Sequence, residues 1–202
     1  MANIDLAGKT GGVIIVLNGT SSAGKTTLGK ALQDILPTPY LLIGIDTVVF
    51  ALPRRYVNEL WTQELCRYEY DGDRIAKIVP LPRYHAMVRG LHASVASLAG
   101  AGLDVIMDHC LVEAAWADDL LAAFAGLDML RVGVVCPLAV VEERERSRGD
   151  RTLGWASAHY DVIHRYLPYD LTVDTSRADP SGCAEVVVAE LARRFRPSNS
   201  LE

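Results

Sequence analysis

A glycine-rich segment between an apolar run and an amphipathic stretch constrains this chain more than any other feature. Residues 19–26 read Gly-Thr-Ser-Ser-Ala-Gly-Lys-Thr, which matches the pattern G-x-x-x-x-G-K-[ST]. The β-branched run at residues 12–17 precedes the segment, and apolar residues follow it at helical spacing up to Pro37. A strand, a glycine-rich turn and a helix in this order predict a loop that binds phosphate groups. The alternative is a turn that only caps a helix.

The residue types in this loop suit a nucleotide and its metal. Glycine at positions 19 and 24 lets the backbone curl so that successive N–H groups point at anionic oxygens, and the following helix adds the positive end of its dipole. Lys25 is placed to contact the β- and γ-phosphates, and the Thr26 hydroxyl to ligate Mg²⁺. We therefore assign nucleotide binding to Gly19, Thr20, Ser21, Ser22, Ala23, Gly24, Lys25, Thr26 and Thr27.

Apolar runs and amphipathic stretches alternate along the chain. Strands are predicted at residues 12–17, 40–45, 103–107, 129–135 and 170–173. Helices are predicted at residues 25–36, 84–98, 113–124, 137–149, 155–166 and 180–195. This alternation indicates a five-stranded parallel sheet with helices on both faces, the three-layer α/β/α architecture of P-loop NTPases. We expect a single kinase-like domain over residues 1–202, with its ligands at the carboxyl ends of the strands.

Residues 54–82 interrupt this alternation. Residues 68–73 resemble a strand that runs into a turn, and residues 74–79 could return as its antiparallel partner. We interpret the segment as an inserted flap, and an ordinary surface loop is an equally open alternative.

A second charged segment, at about residues 144–154, is a candidate lid. Arg144, Arg148 and Arg151 recur every three to four residues, so a helix and its end could present them on one face. Guanidinium groups suit phosphate because they stay charged and can donate two parallel hydrogen bonds. The alternative is a solvated helix with Glu–Arg pairs three or four residues apart.

Two aspartates follow predicted strands. Asp46 follows the second strand, one sheet position away from the phosphate loop in a typical layout, where a carboxylate can accept the proton of an acceptor hydroxyl. An equally open alternative is that Asp46 caps the next helix. Asp108 follows the third strand, so we assign Mg²⁺ to Thr26 and Asp108, the alternative for Asp108 being a polar strand end. His109 receives no role.

Charge and composition argue against several classes of protein. The 25 acidic and 20 basic residues give a net charge of −5, which disfavours a nucleic-acid-binding surface and a polybasic membrane anchor. The longest strongly apolar run, residues 13–17, is too short to span a bilayer, and residues 1–10 lack the apolar core of a secretory signal. Four widely spaced cysteines fit buried free thiols in a reducing cytosol. We expect a cytoplasmic protein, and the sequence leaves a homo-oligomer open.

Two absences in the sequence narrow the nucleotide and the reaction. The dipeptide Asn-Lys, which a guanine-reading Asn-Lys-x-Asp motif requires, does not occur, and this favours ATP. The third strand ends in Asp108-His109 rather than in the Asp-Glu pair of a motor ATPase. A core of this size with a flap and a lid fits a kinase of a small hydroxyl compound.

Taken in order, these segments resemble the chloramphenicol phosphotransferase-like family of P-loop kinases over about residues 13–195. The resemblance rests on residues 18–26, residues 36–39 followed by Gly44-Ile45-Asp46-Thr47, Asp108, residues 144–151 and residues 169–175. It implies ATP-dependent O-phosphorylation of a small alcohol, with Asp46 as base, a lid of arginines and Thr175 in the loop beside the adenine. No part of the resemblance rests on the flap, where acceptor recognition would lie, and His109 stands where the family has a second acid. The acceptor is therefore open between chloramphenicol, another natural product and a nucleoside-like alcohol.

The sequence thus predicts an ATP- and Mg²⁺-dependent phosphotransferase of a small molecule, with antibiotic inactivation as one use. Its predicted catalytic residues are Asp46, Lys25, Arg144, Arg148 and Arg151. The alternatives are a nucleoside or sugar-nucleotide kinase and a regulator that binds nucleotide without catalysis. An acceptor site lined by aromatic flap residues would favour a drug-like acceptor, and one lined by Arg54, Arg55 and Arg67 would favour a phosphorylated acceptor.

Overall fold

A computed structural model of the chain describes residues 11–148 and 153–195. Its strands are β1 Val13–Asn18, β2 Tyr40–Gly44, β3 Cys66–Asp71, β4 Arg74–Pro80, β5 Asp104–His109, β6 Asp128–Val135 and β7 Leu171–Asp174. Its helices are α1 Lys25–Ile35, α2 Ile45–Phe50, α3 Arg54–Asn58, α4 Pro82–Gly100, α5 Ala114–Ala123, α6 Leu138–Arg148, α7 Trp155–Tyr160 and α8 Pro180–Arg194. A turn of π-helix, Trp61–Leu65, leads into β3.

Five strands form one parallel sheet in the order β2-β5-β1-β6-β7, which confirms the predicted architecture. The expectation that the strand before Asp46 lies next to β1 was wrong, because β5 occupies that position. The different burial of β5 and β2 explains why β5, and not β2, lies next to β1. Most of β5 is buried, as a central strand of a parallel sheet must be, whereas β2 is largely half-buried at the edge.

The side chains of β1 alternate between two apolar layers. Ile14 and Val16 pack in the layer that includes α4 and α5, and Ile15 and Leu17 pack in the layer that includes α1 and α8. All four side chains are fully buried. Burial on both faces is why this strand reads as a continuous apolar run. It also anchors the start of the glycine-rich segment at the carboxyl edge of the sheet.

The segment at residues 54–82 contains the hairpin that the sequence suggested. β3 and β4 pair antiparallel around a turn at Gly72, whose φ of 59° favours glycine. The hairpin and the π-helical turn share a small core of Leu65, Cys66, Ile75 and Ile78. The segment therefore has its own packing and is not an ordinary surface loop. The helix α3 and the π-helical turn were not predicted, and a helix after Asp46 entered only with the alternative that Asp46 is its cap.

The helix predicted at residues 155–166 was too long. α7 ends at Tyr160, and the chain continues in turns and bends through Leu167. Within this stretch the Ile163 carbonyl accepts a hydrogen bond from the Asn18 side chain at 2.8 Å instead of extending the helix. Arg151 of the predicted lid lies outside the described residues. None of the helices in the described ranges is long and apolar enough to cross a membrane.

Candidate active site

A cavity of about 1340 Å³ opens where β1, β2 and β5 end. One half borders the glycine-rich loop, α6 and the start of α8, and the other half lies under the β3–β4 hairpin. Most of the predicted site residues line it: Ser21, Ser22, Gly24, Lys25, Thr26, Thr27, Asp46, Asp108, Arg144, Arg148 and Thr175. The remaining residues of the loop, Gly19, Thr20 and Ala23, are buried behind this surface.

The backbone of the loop requires both of its glycines. A Cβ on Gly19 would lie 2.4 Å from the Val134 carbonyl oxygen on β6, well inside van der Waals contact. Gly24 has a φ of 93° immediately before α1 begins. Ser22 is also left-handed, with a φ of 60°. Left-handed residues of this kind turn backbone N–H groups inward, which is the arrangement that concave anion-binding sites use.

Lys25, Thr26 and Asp108 form a bonded group on the floor of the cavity. The Thr26 hydroxyl donates to Asp108 Oδ2 across 2.5 Å, and Lys25 Nζ lies 3.7 Å from Asp108 Oδ1. Lys25 Nζ also donates to the Thr20 carbonyl oxygen at 2.9 Å. Lys25 is only 8% exposed, so these partners offset the cost of burying its charge. A hydroxyl and a carboxylate are oxygen donors of the kind that Mg²⁺ prefers.

Asp46 reaches the same cavity because β2 and β5 are in close contact. Gly44 pairs with Asp108 in the sheet, and a Cβ on Gly44 would lie 2.7 Å from the Asp108 carbonyl oxygen. α2 begins directly after Gly44 and places the exposed Asp46 in its first turn, on the cavity wall. The N-cap position belongs to Gly44, whose N–H donates to the Thr47 hydroxyl at 3.4 Å. Asp46 is therefore not the cap of this helix.

Arg144 joins α6 to the glycine-rich loop. Its guanidinium donates to the Thr175 hydroxyl at 3.0 Å and to the Thr175 carbonyl oxygen at 2.8 Å. The Thr175 hydroxyl in turn donates to the Ala23 carbonyl oxygen at 2.7 Å. Arg148 lines the cavity one turn further along α6. The structure thus brings Arg144, Arg148 and Thr175 to the same half of the cavity.

Two acidic residues of α6 bind partners outside their own helix. Glu145 is buried and accepts hydrogen bonds from the backbone N–H groups of Gly154 and Ala156, at 3.0 and 2.8 Å, so its carboxylate bonds the start of α7. Glu142 forms an ion pair with Arg74 of the hairpin. These contacts connect α6 to α7 and to β4. The helix is therefore not the purely solvated helix that the alternative described.

A buried chain of hydrogen bonds lies behind Asp108. His109 Nδ1 accepts from the Cys110 backbone N–H at 2.7 Å, so its Nε2 carries the proton and donates to His92 Nε2 at 2.8 Å. His92 Nδ1 then donates to Asp119 at 2.6 Å. Burial, followed by the effects of His92 and Lys25, holds the pKa of His109 well below its usual value. This chain of hydrogen bonds holds the end of β5 in place. The sequence did not predict it, because the two histidines are single residues far apart along the chain.

Aromatic side chains line the half of the cavity under the hairpin. Their ring centroids lie 5.7–6.3 Å apart in successive contacts. They are Trp61, Tyr68, Tyr84, Trp116 and Trp155. The alternation of β3 turns Arg67 outward beside Tyr68, and Arg54, Arg55 and Arg67 are exposed side chains that do not line the cavity.

Cys110 and His159 complete this half of the cavity. Cys110 Sγ lies 3.7 Å from His159 Nδ1. Burial, and then the charge of Lys25, lowers the pKa of His159 to about 4, so its ring is neutral at pH 7. The sequence predicted buried thiols. Cys66, Cys136 and Cys183 are buried as predicted, whereas Cys110 is partly exposed. No sequence pattern marked either Cys110 or His159.

This sheet order and loop define the P-loop kinase fold, which several solved structures share. A sugar kinase of Janibacter sp. HTCC2649 has a TM-score of 0.64 at 18% identity, over 91% of this chain and 96% of that chain. The APS kinase CysC of Mycobacterium tuberculosis has a TM-score of 0.62 at 16% identity, over 90% and 98%. A gluconokinase of Sinorhizobium meliloti 1021 has a TM-score of 0.61 at 17% identity, over 92% and 94%. At these identities the likeness shows the fold alone.

Sequence similarity gives the family. The model of the chloramphenicol phosphotransferase-like proteins matches residues 12–192. Two strains of Mycobacterium tuberculosis have proteins named "Putative O-phosphotransferase MT2714" and "Putative O-phosphotransferase Rv2636", each 33% identical over 199 residues, which is 96% of this chain and 84% of the relative. The chain belongs to the chloramphenicol phosphotransferase-like family. It is therefore an enzyme, a nucleotide-binding kinase of small molecules, as the sequence predicted.

Proposed function

We propose that this enzyme transfers the γ-phosphoryl group of ATP to a hydroxyl of a small, uncharged molecule. The observation that carries this proposal is the convergence of Lys25, Thr26, Asp108 and Asp46 on one cavity. An ammonium, a candidate metal-binding pair and an exposed carboxylate line the same cavity there. These are the groups that positioning a polyphosphate and activating a hydroxyl require.

The glycine-rich loop holds the phosphates of the donor. Its backbone N–H groups and the N-terminus of α1 face the anionic oxygens, and Lys25 contacts the β- and γ-phosphates. Arg144 and Thr175, which are bonded to each other, border the nucleotide on the α6 side. Arg148 lines the cavity, and with Arg151 it would offset the negative charge of the phosphates.

Thr26 and Asp108 are the residues that would hold Mg²⁺. The Thr26 hydroxyl and an Asp108 carboxylate oxygen lie 2.5 Å apart at the floor of the cavity. The Asp108 side chain is 17% exposed, so solvent can reach its carboxylate. When bound, the metal neutralises charge on the β- and γ-phosphate oxygens.

Asp46 orients and deprotonates the acceptor hydroxyl. The hydroxyl oxygen forms a bond to the γ-phosphorus as the bond from that phosphorus to the β–γ bridging oxygen breaks, and ADP leaves. The hydroxyl proton passes to Asp46. The exposure of Asp46 and its place in the lining of the cavity that Asp108 also lines support this role.

The lining of the acceptor half favours an uncharged acceptor over a sugar nucleotide. A phosphorylated acceptor needs a guanidinium or ammonium group to pair with its charge. The flap arginines are turned outward, and the walls at this end are indole and phenol rings. Chloramphenicol, which the family name suggests, is a hydroxyl compound of this uncharged kind.

A panel assay tests the proposal. Chloramphenicol, other hydroxyl-bearing antibiotics, nucleosides and sugar nucleotides are incubated with the enzyme and Mg·ATP, and mass spectrometry records the gain of one phosphate. We expect phosphorylation of an uncharged compound and ADP formation in equal amount. Phosphorylation of sugar nucleotides alone would contradict the uncharged acceptor.

The role of Asp46 is tested in the same assay. Asp46→Asn keeps the size of the side chain but removes the base, so we expect kcat to fall by about 10²–10⁴ with little change in the Kd of ATP. Asp34→Asn, on the exposed surface of α1, serves as the control. Near-normal turnover by Asp46→Asn would rule out Asp46 as the base.

A further inference from the structure

One strongly exposed aromatic side chain lies in the lining of the cavity. Phe50, the last residue of α2, is 66% exposed, more than any other large apolar side chain in the described part of the chain. Six further large apolar side chains there are exposed, and none of them lines the cavity, whereas Phe50 does. Single exposed apolar residues are common on protein surfaces. An exposed ring in a binding cavity is different, because a ligand can cover it.

The geometry of α2 explains why Phe50 faces the cavity. The exposed residues of this helix are Asp46, Thr47 and Phe50, and all three line the cavity. On the opposite side of the helix, Val48 packs in the apolar layer that includes α4 and α5. The exposed face of α2 is therefore the face that borders the cavity.

Phe50 lies on the acceptor side of the cavity. α2 contacts α3 and α4, and both of these helices contact the π-helical turn that leads into the hairpin. Trp61 from that turn and Tyr84 from α4 belong to the aromatic lining under the hairpin, with their ring centroids 6.3 Å apart. Phe50 therefore extends this aromatic lining to the helix that carries Asp46.

Phe50 and Asp46 are four residues apart, which is about one turn of α2. Side chains with this spacing are neighbours on one face of a helix, with Cβ atoms about 5–6 Å apart. The proposed function places the reacting hydroxyl of the acceptor at the Asp46 carboxylate. The part of the acceptor that extends along α2 from this hydroxyl therefore meets the Phe50 ring. An apolar group at that point is stabilised by covering the ring, whereas a charged group would lose water without gaining a partner.

We propose that Phe50 is a specificity-determining residue that binds an apolar group of the acceptor next to the hydroxyl that is phosphorylated. This inference rests on the proposed function. It defines the acceptor as an uncharged alcohol with an aromatic or branched aliphatic group about 5–6 Å from the reacting hydroxyl. A compound with only hydroxyl groups at that distance would cover less apolar surface and would bind more weakly.

The test is to measure kcat and the acceptor KM for each panel compound that the wild-type enzyme phosphorylates. Phe50→Ala removes the ring, and Phe50→Leu keeps an apolar side chain. We expect the acceptor KM to rise about tenfold or more in Phe50→Ala, with kcat within about threefold of the wild type. Phe50→Leu should stay within about threefold of the wild type in both quantities. The KM of ATP should not change in either variant.

Leu103→Ala is the matched control. Leu103 is 46% exposed and does not line the cavity, so loss of this apolar side chain should leave the acceptor KM unchanged. Circular dichroism checks the fold of each variant. If Phe50→Ala does not fold, Phe50→Gln, which keeps a long side chain without an apolar ring, gives the same test.

The outcomes separate this inference from the function on which it rests. An unchanged acceptor KM in folded Phe50→Ala, with phosphotransfer intact, overturns the inference and leaves the proposed function standing. A fall in kcat alone also overturns it, because Phe50 would then act through Asp46 and not on acceptor binding. A wild-type enzyme that binds Mg·ATP but phosphorylates no compound of the panel overturns the proposed function and the inference with it. A rise in the acceptor KM that is absent from Phe50→Leu supports both.

Discussion

The Thr26 hydroxyl donates a hydrogen bond to the Asp108 carboxylate across 2.5 Å and so joins the first turn of α1 to the end of β5. The two residues are 82 positions apart in the sequence. They meet because β5 pairs with β1, with Leu17 opposite Asp108, and α1 follows β1 through the glycine-rich loop. Lys25 pairs with the same carboxylate. One strand pairing thereby assembles the hydroxyl, the carboxylate and the ammonium of the candidate active site.

Loss of the Thr26 hydroxyl should weaken Mg²⁺ binding and so raise the Mg²⁺ concentration that the reaction requires. Thr26→Val removes one of the two proposed oxygen ligands, so we expect the Mg²⁺ concentration at half-maximal rate to rise about tenfold or more. Thr26→Ser keeps the hydroxyl and should behave like the wild type. Titrations of activity against Mg²⁺ at fixed ATP measure this. Equal Mg²⁺ requirements for the valine and serine variants would remove Thr26 from the metal site.

Removal of the Lys25 ammonium should slow phosphotransfer. Lys25→Met keeps an unbranched side chain but loses a preorganised positive group, which by analogy costs about 3–4 kcal/mol in the transition state, or about 10²–10³ in kcat. Lys30→Met, on the exposed face of α1, is the control. Steady-state kinetics of both variants provide the measurement. Comparable kcat values for the two variants would contradict the assignment of Lys25.

Alanine at two glycines should have opposite effects. Gly19→Ala would place a methyl group 2.4 Å from the Val134 carbonyl oxygen, so we expect a loss of stability of about 1–3 kcal/mol and weaker ATP binding. Gly90→Ala, on the exposed face of α4 with open space around it, should instead add about 0.5–1 kcal/mol of stability. Urea unfolding and ATP titration measure the two quantities. Wild-type ATP affinity in Gly19→Ala would show that the loop tolerates the displacement.

Acid should destabilise the fold through His159. Because burial and the Lys25 charge lower its folded-state pKa from 6.5 to about 4, the unfolded chain binds the extra proton first as the pH falls. The free energy of unfolding should therefore decrease between pH 6.5 and 4, by about 3 kcal/mol in total from this residue. His159→Gln lacks the titrating group and should show a shallower decrease. Parallel curves for the two proteins in urea unfolding from pH 7 to pH 4.5 would contradict the prediction.

Much of the fold and part of the site could be predicted because the signals are local. The continuous burial of β1 and the helical spacing of α1 are visible in adjacent residues, and so is the glycine pattern between them. The sequence also placed Asp46 and Asp108 near the carboxyl ends of two strands, and the structure has Asp46 in the first turn after β2 and Asp108 in the penultimate position of β5. The strand that lies next to β1 was not predicted correctly. Strand order depends on which faces of the sheet the helices cover, and no single stretch of sequence encodes this order.

The sequence by itself determined the alternation of the five sheet strands with the main helices, the phosphate-binding loop and the family, because each depends on residues close together along the chain. Only the tertiary structure decided what the acceptor half of the cavity contains. Cys110 and His159 are 49 positions apart, and Trp61 is brought to them when the hairpin packs against α7. Contacts of this kind depend on long-range packing, since each residue alone is an ordinary cysteine, histidine or tryptophan.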